Sequence, residues 1–408
     1  MTDGVGAAER GNALLDLGRP VEAERLFREA LATEPANADL LVHLAQSLHQ
    51  QERYDEARDA AKQGLAATPG HLGGLLVLSA ALAGLGDFGP ALQAVRRGLQ
   101  IAPALPQFHR QEGALLVAQD NSAEALRPLE RARTLDPEDS ATVALIGAAL
   151  YNLRRFPEAE RAVADALRLD PDNPEAHRIR GLLSLRRGGG QFAVDAHATA
   201  LRLDPTDPEY RQGLATAMKS RNPLYGLLLR LGDWQSGLPS GTRWLVLLAP
   251  FLATRVLGPF DDYLWAQVLL VLIFAVVLLM WALEPLMNTV LLCSSYARNL
   301  LPRDAKLATC AFLAYAGLAL TTATAGLATK SDQALAFAFG LGLWSVTAGQ
   351  VHLVRRSLTK VAFGLQSAGA LLAVSTASAV ALGASAAGPL TGLVVLSGIA
   401  MIWFTALA

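Results

Sequence analysis

The residues of this chain that could do chemistry are seven histidines, two cysteines and one run of three glycines. Histidines four apart on a helix would hold a metal, and a zinc protease would show HExxH. His43 and His49 are six apart, and His71, His109, His177, His197 and His352 are scattered, so no shared metal is expected. Cys293 and Cys310 form no CxxC pair and imply no disulfide framework. Gly188-Gly189-Gly190 lacks the following Lys-Ser/Thr of a phosphate loop and reads as a turn. GxSxG is missing as well. No catalytic residue, metal or cofactor is therefore expected, and the chain reads as a non-enzyme.

The elements that carry these residues fall into two chemically different halves. Residues 1–220 hold 24 Lys+Arg and 30 Asp+Glu, and residues 221–408 hold 11 and 6. All six tryptophans lie in the second half, with long apolar runs. That pattern predicts a water-soluble domain followed by a lipid-soluble one. A net charge of −1, with the acid in the first half, argues against nucleic acid as partner. Met1–Glu9 has no basic stretch leading into an apolar run, so no signal peptide is expected and the first half should stay in the cytoplasm.

The strongest internal signal is a period of 34 residues. Prolines recur at Pro35, Pro69, Pro103, Pro137, Pro171 and Pro205. Small residues recur at Ala23, Ala57, Ala91, Ala125, Ala159 and Ala193, and again at Gly11, Ala45, Ser79, Gly113, Gly147 and Gly181. Small residues let two helices approach closely, and larger ones (Phe27, Val95, Leu129, Val163) fill the seam. Proline stops one helix and suits the first turn of the next. Over residues 4–207 this pattern resembles the tetratricopeptide repeat, although the family's usual tryptophan near the start of the first helix is replaced by Leu41, Leu75, His109, Val143 and His177.

The resemblance implies an all-α superhelix of six helix-turn-helix repeats over 1–219, with Pro208–Lys219 as a capping helix. It also implies a concave face lined by the first helix of each unit. On this chain that face would include Asn12, Gln46, His49, Leu76, Ala80, Arg110, Ala114, Val117, Ala148, Tyr151, Arg178 and Leu182. Such a groove would bind a protein or peptide with apolar anchors and an acidic group near Arg110 or Arg178. Ala8 stands where a chaperone-binding member would place its first carboxylate-clamp lysine, so a chaperone terminus is not expected.

Residues 220–241 read as an interfacial linker helix, with Tyr225, Arg230 and Trp234 at headgroup depth, or alternatively as a linker helix packed on protein. Residues 242–408 read as a transmembrane helical bundle of about six spans. Leu264–Leu283 is apolar on every side, and its 20 residues rise about 30 Å, the thickness of the hydrocarbon core. Leu307–Ala328, Gln333–Leu353, Val361–Gly383 and Gly388–Leu407 follow, and Thr242–Leu257 completes six. With six spans the inner connections hold nine cations (Arg221, Arg230, Arg243, Arg298, Arg303, Lys306, Arg355, Arg356, Lys360) against Arg255 and Lys330 outside. Both ends are then cytoplasmic, at the inner membrane. Leu286–Leu301 is amphipathic and is expected to rest on the inner membrane surface. A ladder of Gly369, Ala373, Ala377, Ala381 and Ser385 would pack the bundle or form a homo-oligomer.

The functional expectation is a membrane-anchored scaffold or adaptor. The alternative is a small-molecule or lipid transporter with regulatory repeats. Few ionisable groups fall within the spans, which weakens that alternative.

Overall fold

The computed structural model describes residues 2–223, 225–227, 263–294 and 297–350, and short stretches between 361 and 398. The expected span Thr242–Leu257 lies outside the described residues, as do Arg230, Trp234, Arg243, Arg255, His352, Arg355, Arg356, Lys360 and most of the last two expected spans. The chain divides into two compact units, Met1–Leu183 with Arg202–Asp204, and Ser184–Leu201 with Pro205–Ala408. The expected boundary at 219 falls within the second.

The first unit stacks helical hairpins: α1 (Thr2–Asp16) with α2 (Pro20–Thr33), α3 (Ala38–Gln50) with α4 (Tyr54–Ala67), and α5 (Leu72–Gly84) with α6 (Phe88–Ile101). The hairpins α7 (Pro106–Ala118) with α8 (Ser122–Leu135), and α9 (Ser140–Asn152) with α10 (Phe156–Leu169), follow, and then most of α11 (Pro174–Arg186). The seam explains the periodic small residues. Ala23, Ala57, Ala91, Ala125, Ala159 and Ala193 are all 0% exposed, so one register holds through six repeats. Gly11 lies under the Phe27 ring, Gly113 under Leu129 and Gly147 under Val163. In each pair a missing side chain on the first helix makes room for a large one on the second, which keeps the interior close-packed.

The prolines follow directly on the end of the preceding helix, as expected, but do not start the next one. Each lies in the turn before the next helix, outside its first turn. The cap comes from the residue two positions later. Asn37 accepts from Leu40 N, His71 from Gly74 N, Asp139 from Ala141 N, Asn173 from Ala176 N and Asp207 from Glu209 N. Leu105 has no side-chain cap. A side-chain oxygen, or in His71 the ring Nδ1, satisfies a donor the helix cannot.

A second series closes each hairpin. Gly18, Glu52, Gly86, Asp120, Arg154 and Gly188 all have positive φ. The next amide bonds back across the turn, as in Arg53 N to Leu48 O at 3.0 Å and Asn121 N to Leu116 O at 2.9 Å. This is a Schellman-type stop, which favours glycine because a Cβ crowds the left-handed region. Three of the six positions are therefore strained. Glu52→Gly and Asp120→Gly are each expected to stabilise the chain by roughly 0.5–1 kcal/mol, and Gly86→Ala to cost about 1 kcal/mol. Urea unfolding followed by circular dichroism measures both; an unchanged midpoint in all three variants would contradict the strain.

The second unit contains α12 (Gly190–Leu203) and α13 (Pro208–Ser220), then α14 (Leu264–Cys293), α15 (Arg303–Thr329) and α16 (Asp332–Gln350). Part of the apolar side of Leu286–Leu301, expected to rest on a membrane surface, is instead buried against protein, while Leu286 and Val290 stay exposed at 39% and 60%. Helix α14 runs on through Pro285 to Cys293, and Leu291, Ala297, Leu300 and Leu301 join Leu214 and Ala215 of α13 in one core. Amphipathicity demands that an apolar face be covered, and here the open side of α13 covers it. Gly369, first of the expected ladder, lies under the Trp344 ring, whose Nε1 donates to Val394 O at 3.2 Å.

Helix α15 is the one described helix long and apolar enough to cross a membrane. It has 27 residues, and an 18-residue window of mean hydropathy 1.5 is only 11% buried. Leu307, Leu318, Leu320 and Leu327 stand exposed along it.

Candidate functional site

In the first unit, the first helices of three consecutive repeats present neighbouring residues to one hollow of about 190 Å3. Helix α3 supplies Gln46 and His49, α5 supplies Leu76, Val77 and Ala80, and α7 supplies Gln107, Arg110 and Gln111. Spacings of three and four place such residues on one helix face, one turn apart. Leu76, Val77 and Ala80 form an apolar floor, and the longer polar side chains form its rim.

Five of the expected groove residues, Gln46, His49, Leu76, Ala80 and Arg110, meet here. Val77, Gln107 and Gln111 were not foreseen, yet Gln107 and Gln111 stand three before and one after Arg110, a helical-face spacing readable in the sequence. The other expected residues lie elsewhere. Asn12 Nδ2 is 3.4 Å from His43 Nε2. Val117, Tyr151 and Leu182 are partly buried against the core of α8–α11, and Tyr151 meets Phe156 edge-on. Ala114 is partly buried on α7. Ala148 is 2% exposed and offers no surface, because the tightly packed α9 is buried on several sides.

The expected positive charge is already matched. Arg110 Nη1 donates to Asp139 Oδ2 at 2.6 Å, and Arg178 forms a two-pronged pair with Glu175 at 2.6 and 2.7 Å. Burial alone would raise the Asp139 carboxyl, but hydrogen bonds from Thr142 and Arg110 outweigh it and hold it below its usual range. Burial pushes the His49 imidazole below its usual value, against a backbone hydrogen bond at Ala80, and its ring meets Tyr54 edge-on. His49 is therefore neutral at pH 7. The other described histidines have structural neighbours: His43 stacks on Phe27, His71 bonds Asp39 at 2.8 Å, His109 and His177 bond the carbonyls of Pro103 and Pro171, and the His197 ring packs on Gly213. The glycine run forms a turn, with Gly188 at φ 79° and the Gly190 backbone close against Ser220.

Stacked helical hairpins of this kind define a helical-repeat protein, and a family model matches them. The model of the tetratricopeptide repeat family matches residues 14–71 and 116–183, so the N-terminal region carries tetratricopeptide repeats. No curated protein matches the chain. Among solved structures, the Cut9–Hcn1 hetero-tetramer of the APC/C is 19% identical over 53% of this chain and 43% of that one, with a TM-score of 0.46. PilF of Pseudomonas aeruginosa is 18% identical over 52% and 96%, with a TM-score of 0.41. YrrB, described as a TPR protein with an unusual peptide-binding site, is 17% identical over 46% and 96%, with a TM-score of 0.32. The chain thus spans less than half the length of the first of these.

Proposed function

We propose that this chain is a membrane-anchored adaptor with no catalytic activity, whose repeats hold a segment of a protein partner. The observation that carries the reading is the hollow between α3, α5 and α7, where an apolar floor and a hydrogen-bonding rim converge from three repeats. At about 190 Å3 the hollow is smaller than the roughly 300–1,000 Å3 of a typical small-molecule site, which favours a side chain of a bound peptide as occupant. The anchor reading rests on the exposed apolar length of α15 and on the exposed Leu264, Trp265, Val268, Leu269 and Leu272 at the start of α14. Large apolar side chains exposed in this number along two helices mark an interaction or membrane surface. The charge bias of the connections in the sequence supports a topology with the repeats and the C-terminus on the cytoplasmic side of the inner membrane.

A photocrosslinker at Gln111, installed in the full chain in native membranes, tests both parts. One discrete adduct is expected, and it should disappear when Ala80→Phe fills the floor. A chain recovered in the soluble fraction without detergent overturns the anchor. An adduct pattern indifferent to Ala80→Phe overturns the groove.

A further inference from the structure

The rim of the hollow is rich in hydrogen-bonding groups and empty of unmatched charge. Gln46, Gln107 and Gln111 bring three primary amides to it, and none of the three bonds to another described residue. A primary amide offers a donor and an acceptor side by side. That is the pattern an extended peptide backbone presents in return through its own N–H and C=O.

The charged groups, by contrast, are satisfied within the chain. Arg110 is committed to Asp139, whose side chain is 15% exposed and also accepts from Thr142 Oγ1 at 2.6 Å and Ala141 N at 3.2 Å. Pulling Arg110 toward an acidic ligand would leave that sheltered carboxylate without its counter-charge, a costly exchange. His49 adds no charge at neutral pH. A charged ligand residue entering the hollow would lose water and meet no free counter-ion.

We infer that the hollow takes an uncharged, extended peptide segment, read by amide hydrogen bonds from Gln46, Gln107 and Gln111 and anchored by one aliphatic side chain over Leu76, Val77 and Ala80. This inference rests on the adaptor reading above and names the chemistry of its partner. The volume suits it: about 190 Å3 is space for roughly six waters at about 30 Å3 each, which a leucine, isoleucine or valine side chain and its flanking peptide groups displace. The pairing of Arg110 with Asp139 argues against the acidic partner expected at Arg110.

The test uses the full chain in detergent micelles and a displayed library of random dodecapeptides as probe. Enriched sequences are expected to carry leucine, isoleucine or valine between uncharged residues. Their affinity should change less than about twofold between about 0.05 and 0.5 M salt, because no ion pair is there to be screened. Gln107→Leu with Gln111→Leu keeps size and helix propensity while removing two amides, and should weaken binding about tenfold or more with an unchanged circular dichroism spectrum. Enrichment of acidic or basic peptides whose affinity collapses with salt overturns this inference and leaves the adaptor reading standing. So does binding untouched by the double leucine variant. Failure to enrich any peptide whose binding is blocked by Ala80→Phe overturns both.

Discussion

Replacing Lys219 by methionine is expected to destabilise the second unit by about 3 kcal/mol, the usual cost of removing one member of a sheltered ion pair. Lys219 is 7% exposed on α13, and its ammonium donates to Glu284 of α14. Tyr225 donates to the other carboxylate oxygen at 2.5 Å, and the ammonium lies 5.7 Å from the Tyr225 ring centroid. Burial and the neighbouring carboxylate push the Tyr225 hydroxyl far above its usual value, so it stays a donor throughout the physiological range. Methionine preserves the aliphatic stem and leaves Glu284, whose side chain is 21% exposed, with only the tyrosine. Lys219→Met with Glu284→Leu should lose less than the two single changes combined, since neither charge is then stranded. Thermal unfolding in detergent, read by tryptophan fluorescence, gives all three values. A single variant within about 0.5 kcal/mol of the parent would show that the pair does not hold these helices together.

The second large effect lies at the seam between the third and fourth repeats. Phe108 is 0% exposed, and its ring covers Gly98 where a Cβ would otherwise stand. Phe108→Ala should cost about 3–5 kcal/mol, through lost burial and the cavity left behind. Gly98→Leu should cost about 3 kcal/mol by forcing the ring from its place. Combining the two exchanges volume across the seam, so the double variant should be more stable than the sum of the singles predicts by at least about 1 kcal/mol. Denaturant titration of the four proteins decides it. Strict additivity would mean that ring and glycine do not share one space.

The repeat was legible because each of its requirements is local. A position 0% exposed between two helices tolerates alanine and little else, so Ala23 and its five successors announce themselves by size alone. The six-span topology is only partly within the described residues. The hollow was legible in outline, since face position on a first helix follows from spacing. Its electrostatics were not. Arg110 and Asp139 are 29 residues apart and meet only because successive repeats superpose, so an apparently available cation is already occupied. Ala148 was misplaced for a related reason: helical phase gives its direction, but packing on more than one side of α9 leaves it no surface. An amphipathic stretch such as Leu286–Leu301 states that one face will be covered and does not state by what. Nothing local links Lys219 to Glu284, 65 residues later.

The core shared by Leu214, Ala215, Leu291, Leu300 and Leu301 has a consequence for biosynthesis. The residues that close the last open face of α13 emerge from the ribosome well after the face itself. At about 5–20 residues per second, that surface stays bare for several seconds of each round of translation. In nascent chains stalled between Ser220 and Leu291 the α13 face at Leu214 and Ala215 should therefore be open to protease, and in chains extended past Ala305 it should be protected.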